Sequence, residues 1–239
     1  PELPGEVAVY QIKGMQCGRE RYDELLELTG ASIAFFSEAY GEDYVSAERN
    51  VTALPAYLFH NGKGFSNRYN IGFISASQEK FSSSPDIYPL VHEIGHRWLG
   101  EWTLLIDDGE PGAYFIKESL NEFMTLLFIR HFYGPDTYEK QLDWCRSEYG
   151  KIKGTLQDEP IVDVVVNNNN TVVYRKGPLV LDRMAKEIGY DELAGIIAGF
   201  YREYAGKYPL KYTDFIDMVN ASHAGAGDTL RQLLTAKSL

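Results

Sequence analysis

The residues best suited to chemistry stand in "PLVHEIGHRWLGEW", Pro89 to Trp102, which contains His-Glu-x-x-His at residues 92 to 96. On a helix, side chains four apart lie one turn above each other on one face, so His92 and His96 can bind one divalent ion together. Glu93 follows His92 by one position, which sets its carboxylate beside such an ion rather than on it. From there it can accept a proton from a water that attacks an electrophile. Two imidazoles do not close a zinc site, so this chemistry requires a third protein ligand. Without one, His92 and His96 are incidental helix residues and Glu93 is a solvated charge.

The extended pattern HExxHxxGxxH needs glycine at 99 and histidine at 102. The chain has Leu99 and Trp102, which excludes that class. The remaining histidines, His60, His131 and His223, stand at no recognisable ligand spacing. The other source is a carboxylate on the next helix, where "FIKESLNEFMTLLF" offers Glu118 and Glu122 one turn apart. If Glu118 takes the metal, Glu122 is placed to accept a hydrogen bond from a ligand histidine or to meet a substrate amine. Glu122 as the ligand is the rival assignment. The apolar neighbours Ile116, Leu120, Phe123 and Leu126 imply that this helix is largely buried, where a carboxylate needs a partner.

With these residues in place, the chain resembles the zinc aminopeptidases typified by aminopeptidase N, within the gluzincins. In that family HExxH runs into Trp and Gly, as here in "HEIGHRWLG", and the third ligand comes from an Asn-Glu-Gly-Phe-Ala-x-Tyr type motif. Setting "KESLNEF" on that motif makes Glu118 the ligand, with Ser119 in the Gly place and Phe123 in the Tyr place. The interval from His96 to Glu118 is then about three residues longer than is usual in the family, a difference that the acidic turn "IDDGEPG" would absorb. The literal "LNE" gives the second alignment, with Glu122 as ligand. Further on, "TVVYRKGPLVLDRMAKEIG" is similar to the family's Tyr-x-Lys-Gly segment, whose tyrosine hydroxyl donates to the developing oxyanion. Tyr174 is the matching residue. The resemblance runs from about residue 65 to the C-terminus. It implies a thermolysin-like catalytic domain, Zn2+ as cofactor, and a peptide or protein as substrate.

One matching stretch departs from the family. Its members carry Gly-Ala-Met-Glu-Asn followed by Trp-Gly at the substrate site, where the backbone holds the substrate like an added strand and the Glu binds the free amino terminus. Here the matching stretch is "SNRYNIGFI". Asn70 and Gly72 fit, and Tyr69 stands where the amine-binding Glu is expected. Tyr69 and Asn70 are therefore the expected substrate-binding residues. Glu110, Glu122 or a residue of another domain could supply the missing carboxylate. Cleavage of internal bonds and a non-catalytic zinc-containing binding module are the alternatives. The family also carries a β-rich domain before the catalytic one and a helical domain after it, so the resemblance implies further domains of a longer protein, in keeping with a chain that begins at Pro1.

These residues need elements to hold them. "EVAVYQIK", "VTALPAYLF" and "IGFISAS" read as strands, and "ERYDELLELTGASIAFFSEAYG" as an amphipathic helix with Tyr22, Leu25, Leu26, Ile33, Phe36 and Tyr40 on one face. "SSSPDIYPLVHEIGHRWLGEW" reads as a helix with Ser84 as N-cap and Pro85 at the first helical position, although Pro89 argues for a later start. Helices are expected at about 114–133, 136–149, 171–189, 191–205, 213–223 and 227–237. The expected fold is α+β and helix-rich: one catalytic domain over 1–239, with a small α/β lobe at 1–83 and a helical lobe at 84–239 that carries most of the site.

Composition sets the outer bounds. The 239 residues are 44% hydrophobic and 24% charged, as in ordinary globular proteins. A formal charge of −11 argues against binding a nucleic-acid backbone or an anionic lipid surface. No run of about 18 apolar residues is present to span a membrane. The two cysteines, Cys17 and Cys145, form no Cys-x-x-Cys motif and indicate neither a cysteine zinc site nor a disulfide scaffold.

Overall fold

The computed structural model describes residues 9–11, 19–42, 56–60, 73–77, 87–100, 103–165 and 169–239. The chain divides into two compact units, Pro1–Trp98 and Leu99–Leu239.

In the first unit, β1 (Val9–Gln11), β2 (Ala56–His60) and β3 (Phe73–Ser77) form a sheet in that order. Both pairings are parallel, with Val9 opposite Tyr57 and Ala56 opposite Phe73. The helix α1 (Arg19–Tyr40) follows β1 in sequence, as a parallel crossover requires. Its buried face is built from Leu25, Leu28, Ile33, Phe36 and Tyr40, at the three-to-four spacing of an amphipathic helix. Leu26, expected on that face, is turned outward and exposed. Thr29 and Ser32 lie on the buried side, where their hydroxyls donate to the carbonyls of Leu25 and Leu28 at 2.6 and 2.7 Å. This bonding within the helix lets polar residues join an apolar face without an unpaired donor.

The helix α2 (Ile87–Gly95) packs against α1. Its apolar side, Leu90, Val91 and Ile94, is buried. Pro89 is tolerated because it falls in the first turn, where backbone N–H groups have no partner within the helix. The expectation of a helix continuous to Trp102 is corrected: regular helix stops at Gly95. His96 N–H still bonds the His92 carbonyl at 3.2 Å, but Arg97 and Trp98 bond only three residues back, to Ile94 and Gly95. Such i to i−3 bonds tighten and end a helix. The expected cap, Ser84 and Pro85, lies outside the described residues.

The second unit is helical. A π turn (Phe115–Ser119) runs into α3 (Leu120–Tyr133), followed by α4 (Pro135–Gly150). After a short 3-10 turn (Ile161–Asp163), a second π turn (Val172–Lys176) leads into α5 (Gly177–Ile188). Then come α6 (Tyr190–Tyr204), α7 (Tyr212–Ser222) and α8 (Ala226–Thr235). These match the six expected helices to within two residues at each end, apart from the two π turns. Leu120, Phe123, Met124, Leu126 and Phe128 of α3 are fully buried, making α3 the central helix of this unit. No described helix is long and apolar enough to cross a membrane.

Candidate metal centre and its surroundings

In the first unit, α2 presents His92 and His96 one turn apart. Their rings lie 4.4 Å apart, centroid to centroid, at 86° to each other. Edge-to-face rings can turn a nitrogen from each toward one point. His92 and Glu93 are both buried. The turn carrying His96 is pinned two residues on by Trp98, whose indole N–H donates to the Glu42 carbonyl at 3.2 Å. The Trp98 ring lies 5.6 and 5.7 Å from the rings of Phe36 and Tyr40 on α1. The Trp of "HRW" thus clamps the motif to the end of α1.

In the second unit, the first π turn carries Glu118. Its entry is fixed by Gly112, which has φ +75° and lets its N–H reach the Val162 carbonyl at 2.8 Å. A Cβ at this position would fall 2.6 Å from Tyr212 Cβ, so only glycine fits. Leu120 N–H bonds the Phe115 carbonyl five residues back, and the extra residue held in this wide turn is characteristic of sites where helices serve function. Among the described residues, one group of potential metal ligands stands out. His92, His96 and Glu118 each offer one ligand atom, and the three atoms lie within 4.8 Å of one another.

Glu122 is placed differently. It is buried, and the Arg175 guanidinium lies 3.5 Å from its carboxylate. Arg175 also donates to the Tyr174 carbonyl at 2.7 Å and stacks over Trp144, 3.9 Å from the ring centroid. A carboxylate already matched by a guanidinium is a weaker candidate for metal or for a substrate amine. The thiol of Cys145, on the neighbouring turn of α4, is buried and pushed up to about 12, mainly by loss of solvent. It is a free thiol, inert at neutral pH.

Tyr174 sits half-buried at the middle of the second π turn. Two residues on, Lys176 is fully buried and serves four oxygens: Asp158 Oδ1 at 3.2 Å and the carbonyls of Glu159, Ala236 and Lys237 at 2.8, 3.0 and 2.8 Å. Asp158 accepts further hydrogen bonds from Gly154 N–H, the Tyr149 hydroxyl and the Ser238 hydroxyl. Burial alone would raise the Asp158 pKa, but the Ser238 hydroxyl, Gly154 N–H and Lys176 outweigh it and hold the carboxyl below its usual range. This buried node anchors the turn that carries Tyr174. It was not foreseen from the sequence, although Lys176 belongs to the "YRKG" segment that signals it.

Of the other expected site residues, Tyr69 and Asn70 lie outside the described residues. Glu110 occupies the turn before Gly112, its N–H bonded to the Asp107 carbonyl at 2.9 Å, and is not one of the grouped ligands. Cys17 is likewise outside the described residues.

No family model matches the sequence, and no curated protein matches it. Solved structures do. Over 96% of this chain, an M1 zinc metallopeptidase from Deinococcus radiodurans superposes with a TM-score of 0.67 at 15% identity. The fold is that of the M1 zinc metallopeptidases. The same Deinococcus protein, as a mutant bound to a Tyr-Ser-Ala substrate, matches with the same TM-score. Leukotriene A4 hydrolase from Saccharomyces cerevisiae, in complex with bestatin, gives 0.74 at 16% identity over 97% of this chain. The chain spans 47% of the Deinococcus protein and 38% of the yeast hydrolase.

Proposed function

We propose that this chain is a zinc metallopeptidase catalytic domain of the gluzincin type, thermolysin-like in architecture and aminopeptidase-like in chemistry. The observation that carries this reading is the convergence of His92, His96 and Glu118 ligand atoms to within 4.8 Å. Two imidazoles and one carboxylate are a donor set that suits catalytic zinc, with a coordination position left open. The fold shared with M1 zinc metallopeptidases supports it, as does the bound peptide in the Deinococcus complex.

When bound, zinc would supply Lewis acidity to a peptide carbonyl and make water a better nucleophile. The chain's own residues do the rest. Glu93, one position after a ligand histidine, takes the proton of the attacking water and hands it to the leaving amine. The Tyr174 hydroxyl donates a hydrogen bond to the carbonyl oxygen as negative charge develops there. Such a bond strengthens toward the transition state and so raises the rate rather than mere affinity. Tyr69 and Asn70 belong to the stretch that holds the substrate backbone.

Tyr69 offers no charge for a substrate amine, and Glu122 is matched by Arg175, which favours an endopeptidase as the second reading. Purified protein should carry about one zinc per chain by elemental analysis and cleave peptides in a chelator-sensitive manner. Loss of cleavage on blocking the peptide amine assigns an exopeptidase; equal cleavage assigns an endopeptidase. Protein without metal, and indifferent to chelator in both activity and melting, sinks the zinc peptidase reading.

A further inference from the structure

We propose that the Ser119 hydroxyl is a positioning group that fixes Glu118 and Tyr174 relative to each other by joining the two π turns. Ser119 directly follows Glu118, and its Oγ donates to the carbonyl of Val173 at 2.8 Å, the residue directly before Tyr174. One peptide link therefore separates each proposed functional residue from the same hydrogen bond. The catalytic consequence rests on the zinc peptidase reading, whereas the geometric lock does not.

The acceptor is available for a covalent reason. In the second π turn, Gly177 N–H bonds the Val172 carbonyl five residues back. In the same register the Val173 carbonyl would look to residue 178, which is proline and has no N–H. Val173 is fully buried, so water cannot serve it either. A buried carbonyl left without a donor costs about 1–3 kcal/mol. Ser119, itself fully buried, supplies that donor from the other turn. Gly177 makes room: a Cβ there would fall 2.2 Å from Ser119 Oγ and 2.6 Å from Ser119 Cβ. Ser119, Gly177 and Pro178 thus form one device. Proline leaves a carbonyl open, glycine lets the other turn approach, and serine closes the bond.

Three variants separate the hydroxyl from the packing: Ser119→Ala, Gly177→Ala, and the double variant Ser119→Gly with Gly177→Ala. Each is measured for zinc per chain, melting temperature, kcat and KM. The Tyr174 ring resonance is followed in protein carrying 13C-labelled tyrosine and assigned with Tyr174→Phe. Ser119→Ala should keep its zinc and its KM, shift the Tyr174 ring resonance, and lower kcat by roughly 10- to 100-fold, the scale of a small misplacement of a reacting group. Gly177→Ala should melt lower than the parent. The double variant relieves the clash and should melt above Gly177→Ala but below the parent, because the Val173 carbonyl stays without a donor, while kcat and the ring resonance stay altered because the hydroxyl is gone. A parental ring resonance in Ser119→Ala overturns the proposal, as does a double variant restored in both kcat and resonance. If Ser119→Ala does not fold, the double variant carries the same test. Should the parent protein hold zinc and cleave nothing, the peptidase reading fails and the resonance alone decides the role of Ser119.

Discussion

Glu93, Tyr174, Glu118 and Glu122 show how much a residue's chemistry depends on what surrounds it. Glu118 and Glu122 are one turn apart on the same run of chain, and sequence spacing allows either to be a ligand. The Arg175 guanidinium 3.5 Å from Glu122 separates them, because a matched carboxylate has less to offer a cation, while Glu118 falls with the two histidines. Glu93 and Tyr174 should separate by experiment. Glu93→Gln keeps size and polarity but cannot take up a proton; it is expected to retain zinc and lose turnover by at least ~1,000-fold. Tyr174→Phe removes one hydrogen-bond donor and should cost about 100- to 1,000-fold in kcat, with zinc affinity unchanged. Single-turnover kinetics with metal analysis on both proteins checks the pair. Turnover retained in Glu93→Gln, or zinc lost from Tyr174→Phe, would reverse the role given to that residue.

At the scale of elements, periodicity made the helices legible and hid their irregularities. Apolar spacing places α1 and the helices of the second unit, since burial imposes the three-to-four repeat wherever a helix faces a core. It does not register a π turn, which keeps helical hydrophobicity while inserting one residue. The signals for the second π turn were local, Gly177 followed by Pro178, and they read equally well as the ordinary start of a helix. The early end of α2 was hidden for a similar reason: "HRWLGEW" continues the apolar pattern, but Trp98 is held by α1 and the Glu42 carbonyl rather than by its own helix. Gly112 tests how tightly the first π turn is held. Gly112→Ala would force an L residue to φ +75° and drive its methyl into Tyr212, so a loss of about 2–4 kcal/mol is expected. Urea unfolding measures it, and a loss below about 0.5 kcal/mol would show that the turn yields easily.

At the scale of the whole molecule, the fold is shared with solved neighbours at 15–16% identity, so it tolerates change at most positions, and the weight of any one buried polar node has to be argued from its own contacts. The Asp158–Lys176 node joins the loop before the 3-10 turn, the second π turn and the segment after α8 through hydrogen bonds from the buried Lys176 ammonium. In the unfolded chain the Asp158 carboxyl would titrate at its ordinary value of 3.8; in the folded protein it is lower. The sign follows from linkage: the unfolded state binds the proton first as pH falls, so this contribution is complete above about pH 4 and drains away as pH drops through the lower folded value. Asp158→Asn removes the titrating group and leaves Lys176 buried without its carboxylate, at a cost of about 3–5 kcal/mol near neutrality. Melting temperature followed from pH 7 to pH 2 should therefore show the variant starting lower and falling less steeply than the parent below pH 4. Parallel curves would mean that acid sensitivity in this acidic chain comes from other carboxylates, and that the node holds the Tyr174 turn by packing rather than by charge.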